Sequence, residues 1–271
     1  MTEKQKIRTA VLGASGYTGG ETLRLAVRHE NIELVSLTAE RHAGQDIESV
    51  FPNLAGFKLP KLAKIPDVNF EELDAVFCCL PHGTTQEVVK ALPDTLKVFD
   101  LSADFRLTDP AVYSKWYGHE HYAPALQAEA VYGLTEHYRL MLPKKRIIAC
   151  PGCYPTSVLL PLLPVIKVGQ ISHDDIIIDS KSGVSGAGRA AKEAMLFSEV
   201  GEGVHAYGLG THRHGPEIDQ ELSVAAEADV VTSFTPHLVP MNRGILSTIY
   251  VQLLDGVGVT DIRETLVQRY H

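Results

Sequence analysis

The chain of 271 residues is 45% hydrophobic and 21% charged, with a formal net charge of −8. This length and composition are typical of one large or two moderate globular domains, each with its own core. The acidic balance excludes a general affinity for nucleic acid or acidic membranes, and no run reaches the ~18 apolar residues of a membrane span. The first residues lead into a strand without the apolar core of a signal peptide, so we expect a cytoplasmic protein.

Strand and helix patterns alternate in the first half of the chain. Apolar runs of strand length are followed by segments with helical spacing, which predicts a parallel, doubly wound α/β sheet with right-handed crossovers. The predicted strands cover residues 7–14, 32–38, 74–80 and 97–101, and the predicted helices cover residues 21–28 and 84–92.

The first strand ends in a glycine-rich loop, Gly13-Ala14-Ser15-Gly16-Tyr17-Thr18-Gly19, which opens the first helix. Glycines let the backbone turn tightly and approach a pyrophosphate, which then lies at the helix N-terminus. This strand–loop–helix context predicts a dinucleotide-binding Rossmann domain. After the second strand a carboxylate favours NAD and an arginine favours NADP. Glu40 and Arg41 offer both, so the pair leaves the choice open, and Arg41 favours NADP(H).

The pattern changes near residue 152. Three long β-branched runs and one clear helix predict an α+β domain with a larger, mixed or antiparallel sheet. We therefore predict a Rossmann domain over 1–152 and a catalytic and oligomerisation domain over 153–271, whose long strands suit a homodimer or homotetramer. The runs are 175–179, 229–234 and 245–253, the helix is 216–226, and a last helix begins with Thr260 as its N-cap and stops at His271.

Cys153 follows a Pro-Gly turn and precedes a helical pattern. A thiol at a helix N-terminus faces unpaired N–H groups and the positive end of the helix dipole, which favour the nucleophilic thiolate. Cys150 completes a C-x-x-C pair, but no second Cys/His pair accompanies it, so we expect neither a zinc site nor any other metal. Cys150 is then a bystander, and Cys78 and Cys79 are buried strand residues.

Four polar segments accompany this cysteine. Arg106 follows a strand and offers a fork for phosphate or carboxylate, with a structural pair to Asp104 as the alternative. Histidines before a helix supply a base with a pKa near neutrality, which covalent catalysis by a thiol needs. The combination predicts that cysteine attacks an activated acyl group and that a nicotinamide hydride reduces the thioester to an aldehyde. Besides the segment of Arg106, the four polar segments comprise a glycine-rich loop at 181–189, the histidine cluster at 211–218 and a polar loop at 236–244.

Six motifs, in order along nearly the whole chain, resemble the N-acetyl-γ-glutamyl-phosphate reductase family of arginine biosynthesis. The resemblance implies NADPH-dependent reduction of N-acetyl-L-glutamyl 5-phosphate to the 5-semialdehyde, with release of phosphate. The motifs are GASGYTGGE (13–21), DLSADFRL (100–107), CPGCYPT (150–156), GVSGAGR (183–189), HRHGPEI (212–218) and PHLVPMNRGI (236–245).

The resemblance also implies roles for individual residues. Cys153 is the expected nucleophile, and His214 is the expected acid/base because His214 and Glu217 have the His-x-x-Glu spacing of the wider semialdehyde-dehydrogenase superfamily; His212 stays open as the alternative base. The expected substrate residues are Arg106 for the acyl phosphate, Asn242 or Arg243 for the amino-acid end, and Ser185, His212, Arg213 and Glu217. The expected cofactor residues are Gly13, Ser15, Gly16, Tyr17, Thr18, Gly19, Thr38, Arg41, Ser182, Gly183 and Gly186.

Two other functions stay open at this point. One is the homologous reduction of a 2-aminoadipyl phosphate, carrier-linked or not, in lysine synthesis. The other is a catalytically incomplete fragment that binds nucleotide or only assembles with partners. The second follows from the C-terminus: members of the family usually continue for several tens of residues past this point, so we expect a truncated chain.

Overall fold

The computed structural model describes residues 5–271, which divide into two compact units. The first unit comprises residues 5–110 and 120–151, and the second comprises residues 111–119 and 152–271. The segment 111–119 is thus grouped with the second unit, which a single boundary between residues 152 and 153 does not anticipate. No helix within residues 5–271 is both long enough and apolar enough to cross a membrane.

The first unit is built on a seven-stranded sheet in which every hydrogen-bonded pair of strands is parallel. The order β3-β2-β1-β4-β5-β7-β6 confirms the predicted doubly wound α/β fold. The strands are β1 (Ile7–Leu12), β2 (Ile32–Thr38), β3 (Leu62–Ala63), β4 (Ala75–Cys78), β5 (Lys97–Asp100), β6 (Val131–Tyr132) and β7 (Ile147–Ala149).

Strand β1 shows why an unbroken apolar run belongs at the centre of this sheet. Ala10 and Leu12 lie in one apolar cluster and Val11 lies in another, because successive side chains of a strand point to opposite faces. All three are buried, so both faces of the strand are covered, as parallel sheets require.

The helices of the first half of the chain are mostly short. They are α1 (Tyr17–Ala26), α2 (Thr85–Lys90), α3 (Pro110–Tyr117), α4 (Pro124–Glu129) and α5 (Thr135–Tyr138). Helix α1 begins four residues before the predicted start at Glu21, because its first turn contains Gly19 and Gly20 and lacks the apolar spacing on which the prediction rested. Residues 111–117 of α3 belong to the second unit.

The second unit contains a mixed sheet in the order β11-β8-β10-β9. The β8–β10 pair is parallel, whereas β8–β11 and β9–β10 are antiparallel, which confirms the mixed character. The prediction that this sheet is the larger one is wrong within residues 5–271, because it has four strands and the first sheet has seven. The strands are β8 (Ile177–Ser182), β9 (His205–Ala206), β10 (Ser233–Leu238) and β11 (Ile245–Tyr250).

Helix α6 (Cys153–Lys167) packs on this sheet and on helix α8 (Gly215–Ala226). A chain of hydroxyl groups ties it to the sheet: Ser157 Oγ lies 2.8 Å from Ser247 Oγ, which lies 2.7 Å from Ser180 Oγ. Apolar side chains of α6 such as Val158 and Leu159 are fully buried. The position of the first residue of α6 is therefore fixed by both packing and hydrogen bonds.

Two further helices complete the second unit: α7 (Phe197–Val200) and α9 (Val259–Tyr270). Helix α9 begins at Val259, so the prediction that Thr260 is its N-cap is wrong. The first turn is instead closed by the Asp261 carboxylate, which accepts the Gly258 N–H at 2.7 Å.

Candidate active site

Cys153 is the first residue of α6, directly after the N-cap residue Gly152, and it is exposed. The positive end of the helix dipole favours a negative sulfur at this position. Strand β7, a short turn and α6 follow one another along the chain, so the thiol stands at the start of a long, firmly packed helix. This is the arrangement predicted for a nucleophile.

Glu217, in the first turn of α8, holds the residue that precedes the thiol. Its side chain is only 1% exposed, and its Oε1 accepts the Gly152 N–H at 2.8 Å. A buried carboxylate that accepts a backbone N–H makes a strong, charge-assisted hydrogen bond. The sequence suggested substrate contact for Glu217, whereas in the structure this oxygen joins α8 to the N-terminus of α6.

His212 lies among aromatic rings. Burial, together with the charge of Arg213, lowers the pKa of His212 to about 4. Its Nδ1 accepts the backbone N–H of His214 at 3.1 Å. A histidine in this state is neutral at pH 7 and is poorly suited to act as a proton carrier.

His214 occupies the N-cap position of α8 and is half-buried. Its ring lies 4.9 Å from the His212 ring and 5.8 Å from the Tyr154 ring, measured between centroids. Because Tyr154 directly follows Cys153, the His214 ring packs against the helical turn that carries the thiol. Of the two histidines, the geometry therefore favours His214 as the acid/base.

A pair of tyrosines beside the thiol was missed by the sequence reasoning. The hydroxyl groups of Tyr154 and Tyr207 lie 2.7 Å apart, and Tyr154 is only 2% exposed. Burial raises the pKa of both phenols, so both hydroxyls stay protonated at neutral pH. Tyr154 stands in the cysteine motif, but nothing in the local sequence singles out Tyr207.

Arg213 is also positioned by residues that the sequence reasoning did not consider. Its guanidinium carbon lies 5.2 Å from the centre of the Tyr117 ring in α3, and that ring stacks on Tyr113 with centroids 4.6 Å apart. A cation over an aromatic face is stabilised by the ring's quadrupole. Since Arg213 is exposed, this contact orients its charge without burying it.

The two predicted polar loops of the second unit are joined by hydrogen bonds. The N–H groups of Gly183, Val184 and Ser185 donate to the carbonyls of Gly244, Met241 and Asn242 at 2.9, 3.0 and 3.1 Å. A Cβ at Gly183 would lie 2.8 Å from the backbone nitrogen of Arg243, so this close approach requires glycine. Ser185, Asn242 and Arg243 are therefore neighbours, as are Ser182 and Gly186, where a Cβ at Gly186 would lie 3.2 Å from Ser182 Oγ.

The polar loop predicted at 236–244 is only partly a loop. Strand β10 continues through Leu238, and His237 faces Asp179, with His237 Nδ1 and Asp179 Oδ1 3.1 Å apart. The β-branched run at 229–234 ends where the strand begins, because β10 pairs in register with β8 from Ser233 onward.

In the first unit, the 13–19 loop contains three glycines that are needed for different reasons. Gly13 has φ = +76°, and a Cβ there would lie 2.3 Å from the carbonyl oxygen of Cys79; a Cβ at Gly19 would lie 2.4 Å from that of Gly13. At Gly16 the nearest atom would be 3.5 Å away, an ordinary contact. Packing therefore requires Gly13 and Gly19, whereas the missing side chain at Gly16 leaves room at the N-terminus of α1, as the approach of a pyrophosphate needs.

The other cofactor residues predicted in the first unit lie in this loop, at the end of β2 or in the turn after it, whereas Ser182, Gly183 and Gly186 lie in the second unit. Thr38 is buried and its hydroxyl accepts the Gly13 N–H at 3.2 Å, so it shapes the loop. Arg41 is exposed in the short turn after β2, where a 2′-phosphate would be expected. Ser15 and Tyr17 are half-buried and Thr18 is exposed at the start of α1.

Arg106 is only 6% exposed, and two of its donors are occupied by backbone. Its Nε donates to the Cys150 carbonyl at 2.8 Å and its Nη2 donates to the Leu101 carbonyl at 3.2 Å. The guanidinium thus braces the segments that follow β5 and β7. The sequence anticipated a basic fork at this sheet edge but not its bonds to the backbone.

Cys150 differs from Cys153 in its surroundings. Burial, followed by the nearby Asp100 carboxylate, raises the pKa of Cys150 to about 12. Burial likewise raises the pKa of Cys78 and brings that of Cys79 to about 12. These three groups are thiols at neutral pH and hence poor nucleophiles.

In a comparison with known proteins, family models match both halves of the chain. Residues 8–143 match the model of the semialdehyde dehydrogenase NAD binding domain, and residues 153–271 match that of the semialdehyde dehydrogenase dimerisation domain.

Relatives were found both by sequence and by structure. An N-acetyl-gamma-glutamyl-phosphate reductase of Afipia carboxidovorans is 58% identical over 276 residues, covering 100% of this chain and 78% of that protein. A probable chloroplastic N-acetyl-gamma-glutamyl-phosphate reductase of Arabidopsis thaliana is 55% identical over 267 residues, 98% of this chain and 67% of that protein. Among solved structures, aspartate semialdehyde dehydrogenase with NADP from Candida albicans shares the fold, with a TM-score of 0.64, 18% identity, and coverage of 96% of this chain and 76% of that one.

The two family models together span most of the chain, and the first of these relatives is matched along the chain's whole length. The chain therefore belongs to the N-acetyl-gamma-glutamyl-phosphate reductase family of semialdehyde-dehydrogenase enzymes.

Proposed function

We propose that this protein reduces N-acetyl-L-glutamyl 5-phosphate to N-acetyl-L-glutamate 5-semialdehyde and phosphate, with NADPH as reductant and a thioester on Cys153. The observation that carries the proposal is the exposed Cys153 thiol at the first position of α6, next to a backbone amide held by the buried Glu217. The names of relatives more than half identical to this chain support the same substrate.

The residues of the first unit fit a dinucleotide. The space beside Gly16 at the N-terminus of α1 suits a pyrophosphate, and the exposed Arg41 suits a 2′-phosphate. The structural relative solved with NADP supports the same cofactor. We therefore assign NADP(H) to the 13–19 loop with Thr38 and Arg41; when bound, it supplies the hydride.

The chemistry on the protein's own side chains begins at Cys153. Its thiolate attacks the C5 acyl carbon, a carbon–sulfur bond forms, and the carbon–oxygen bond to phosphate breaks. His214 donates the proton that the reaction consumes to the departing phosphate oxygen, and in the reverse direction it accepts that proton from the attacking phosphate. Once the acyl carbon has been reduced, its bond to sulfur breaks, which releases the aldehyde and restores the thiolate.

The anionic substrate needs positive groups. We assign its carboxylate end to Asn242, Arg243 and Arg213, and we keep Arg106 as the candidate for the acyl phosphate. Ser185, in the loop that is hydrogen-bonded to Asn242, is assigned to the substrate as well. Guanidinium groups suit both carboxylate and phosphate because their N–H groups form a planar fork.

We also propose a homodimer or homotetramer and a cytoplasmic location. The outer face of the second sheet exposes Ile177, Leu246 and Tyr250, which the strand register brings onto one face, and the matching family model is that of a dimerisation domain. Light scattering coupled to gel filtration tests the oligomeric state; a monomer at micromolar concentration would contradict it.

The activity is tested in the oxidative direction by following NADPH formation from N-acetylglutamate 5-semialdehyde, NADP+ and phosphate. We expect phosphate-dependent turnover, a loss of about 10³-fold or more in Cys153→Ala, and turnover close to wild type in the matched control Cys150→Ala. Wild-type protein without phosphate-dependent turnover, or an active Cys153→Ala, would contradict the proposal. A preference for 2-aminoadipate 6-semialdehyde would instead favour the lysine-synthesis reaction.

A further inference from the structure

His212 and His214 are two residues apart, yet their side chains make different contacts. The His212 side chain accepts a hydrogen bond from the His214 backbone, whereas the His214 ring packs towards the turn that carries Cys153. We propose that His212 is a positioning residue that holds His214 in place, and that it makes no contact with the substrate. The proposal deepens the proposed function and rests on it for its kinetic test only.

The His212 ring is held by four other rings. Its centroid lies 5.4 Å from that of Tyr154, 5.6 Å from Tyr207, 5.4 Å from Phe234 and 4.9 Å from His214, in every case at a steep interplanar angle. Edge-to-face contacts of this kind are favourable and directional. They come from α6, from β10 and from the segments before and within the histidine cluster, so the ring is fixed from several elements.

The hydrogen bond fixes the protonation state of this ring. A backbone N–H only donates, so Nδ1 of His212 must carry a lone pair and the proton of the neutral ring must be on Nε2. Protonation of Nδ1 would break the bond and place a second positive charge beside Arg213. Burial opposes that charge as well, in agreement with a pKa lowered to about 4.

Tyr154 connects this arrangement to the nucleophile. Its ring contacts the rings of both His212 and His214, its hydroxyl bonds to that of Tyr207, and it directly follows Cys153 in α6. His212 is therefore a fixed part of a cluster that sets the base with respect to the thiol-bearing turn. A residue in this place acts through His214 rather than on the substrate.

The kinetic test compares two amides that differ only in length. In His212→Asn the side-chain oxygen reaches the position of Nδ1 and can accept the His214 N–H, whereas in His212→Gln the amide reaches the position of Nε2 and cannot. We expect kcat of the Asn variant to exceed that of the Gln variant by about tenfold, the effect of one hydrogen bond, with KM for substrate and phosphate within about threefold of wild type in both. A more active Gln variant, or a large rise of KM in both variants, would show substrate contact through Nε2 and overturn the proposal.

A second measurement does not depend on activity. In protein labelled with ¹⁵N in its histidine rings, the His212 signals, identified by their loss in His212→Asn, should show the Nε2–H tautomer and no titration between pH 6 and 8. A ring protonated on Nδ1, or one that titrates in this range, would overturn the proposal even in active protein. If the wild type lacks turnover, the proposed function fails, whereas the NMR result still tests the hydrogen bond between His212 and His214 on which the positioning role depends.

Discussion

Glu217 supports the residue that precedes the Cys153 thiol. Its Oε1 accepts the Gly152 N–H at 2.8 Å in a buried environment. A buried N–H left without an acceptor costs about 1–3 kcal/mol. The sequence shows the spacing of Glu217 from His214. It does not show that Glu217 bonds to Gly152, because the two residues are 65 positions apart along the chain.

Substitution of Glu217 by glutamine and by leucine separates the effect of its charge from the effect of its hydrogen bond. In Glu217→Gln the amide oxygen still accepts the Gly152 N–H, so we expect a smaller fall in melting temperature and in kcat than in Glu217→Leu, which removes the acceptor. Thermal unfolding and steady-state kinetics of both variants check this. Equal losses in the two variants would show that the charge, rather than the hydrogen bond, is what matters.

The two cysteines of the C-x-x-C pair should differ in reactivity. With a pKa raised to about 12, Cys150 has a thiolate fraction of about 10⁻⁴ at pH 8, whereas Cys153 is exposed at a helix N-terminus. Brief treatment with iodoacetamide should therefore modify Cys153 and leave Cys150 intact, as measured by peptide mass spectrometry. Labelling of Cys150 at a similar rate would contradict the assignment of Cys150 as a bystander.

Among the secondary-structure elements, those set by local pattern agree best with the sequence predictions. Strand β1 and the loop after it were predicted because an apolar run followed by spaced glycines has few other interpretations. Strand β10 was misplaced because the β-branched run before it has a strong strand propensity, yet pairing with β8 and β9 places the strand over Ser233–Leu238, which includes Pro236. Pairing partners decide such cases, and propensity does not reveal them.

The loop that leads into α1 offers a test of cofactor binding that is separate from folding. A Cβ at Gly16 meets the nearest protein atom at 3.5 Å, and its backbone, at φ −78° and ψ 166°, suits alanine. We expect Gly16→Ala to weaken NADPH binding about tenfold or more while the melting temperature stays near that of wild type. Fluorescence titration and thermal unfolding measure the two quantities.

Gly19→Ala is the matched control in the same loop. Its Cβ would lie 2.4 Å from the Gly13 carbonyl oxygen, and overpacking of this kind costs about 1–3 kcal/mol, so the melting temperature should fall. NADPH binding unchanged in Gly16→Ala would contradict the assignment of this loop to the pyrophosphate.

Across the full chain, the sequence motifs identified the family and the Rossmann fold and predicted Cys153 as the nucleophile, because each depends on residues close together in sequence. The Tyr154–Tyr207 pair and the contact between Arg213 and Tyr117 were not foreseen. Both join segments that are far apart along the chain. The grouping of residues 111–119 with the second unit likewise depends on tertiary contacts and has no local signal.

The stability of the folded chain should depend on pH through Asp100. Burial raises the pKa of this carboxyl from 3.8 to about 7, although Ser102 donates two hydrogen bonds to it. Between these values the folded state binds a proton that the unfolded state has released, so the free energy of unfolding should fall as pH rises from about 4 to 7 and then level off. The loss is at most about 4 kcal/mol, from 1.36 kcal/mol per pKa unit.

Asp100→Asn removes this titration. We expect its free energy of unfolding, measured by urea denaturation, to fall less between pH 5 and 8 than that of wild type. Asp67→Asn, which removes an exposed carboxylate, is the control and should retain the wild-type slope. An unchanged slope in Asp100→Asn would contradict the assignment of this titration to Asp100.

The proposed reaction is tested most directly by detecting the covalent intermediate on Cys153, because no mechanism without a thioester forms it. Wild-type protein is mixed with N-acetylglutamate 5-semialdehyde and NADP+ in the absence of phosphate, quenched in acid and digested for mass spectrometry. We expect a burst of NADPH and one N-acetylglutamyl group on the peptide that contains Cys153, both lost in Cys153→Ala, with the adduct removed when phosphate is added before the quench. A burst of NADPH without any adduct, or an adduct on Cys150, would contradict the proposed thioester on Cys153.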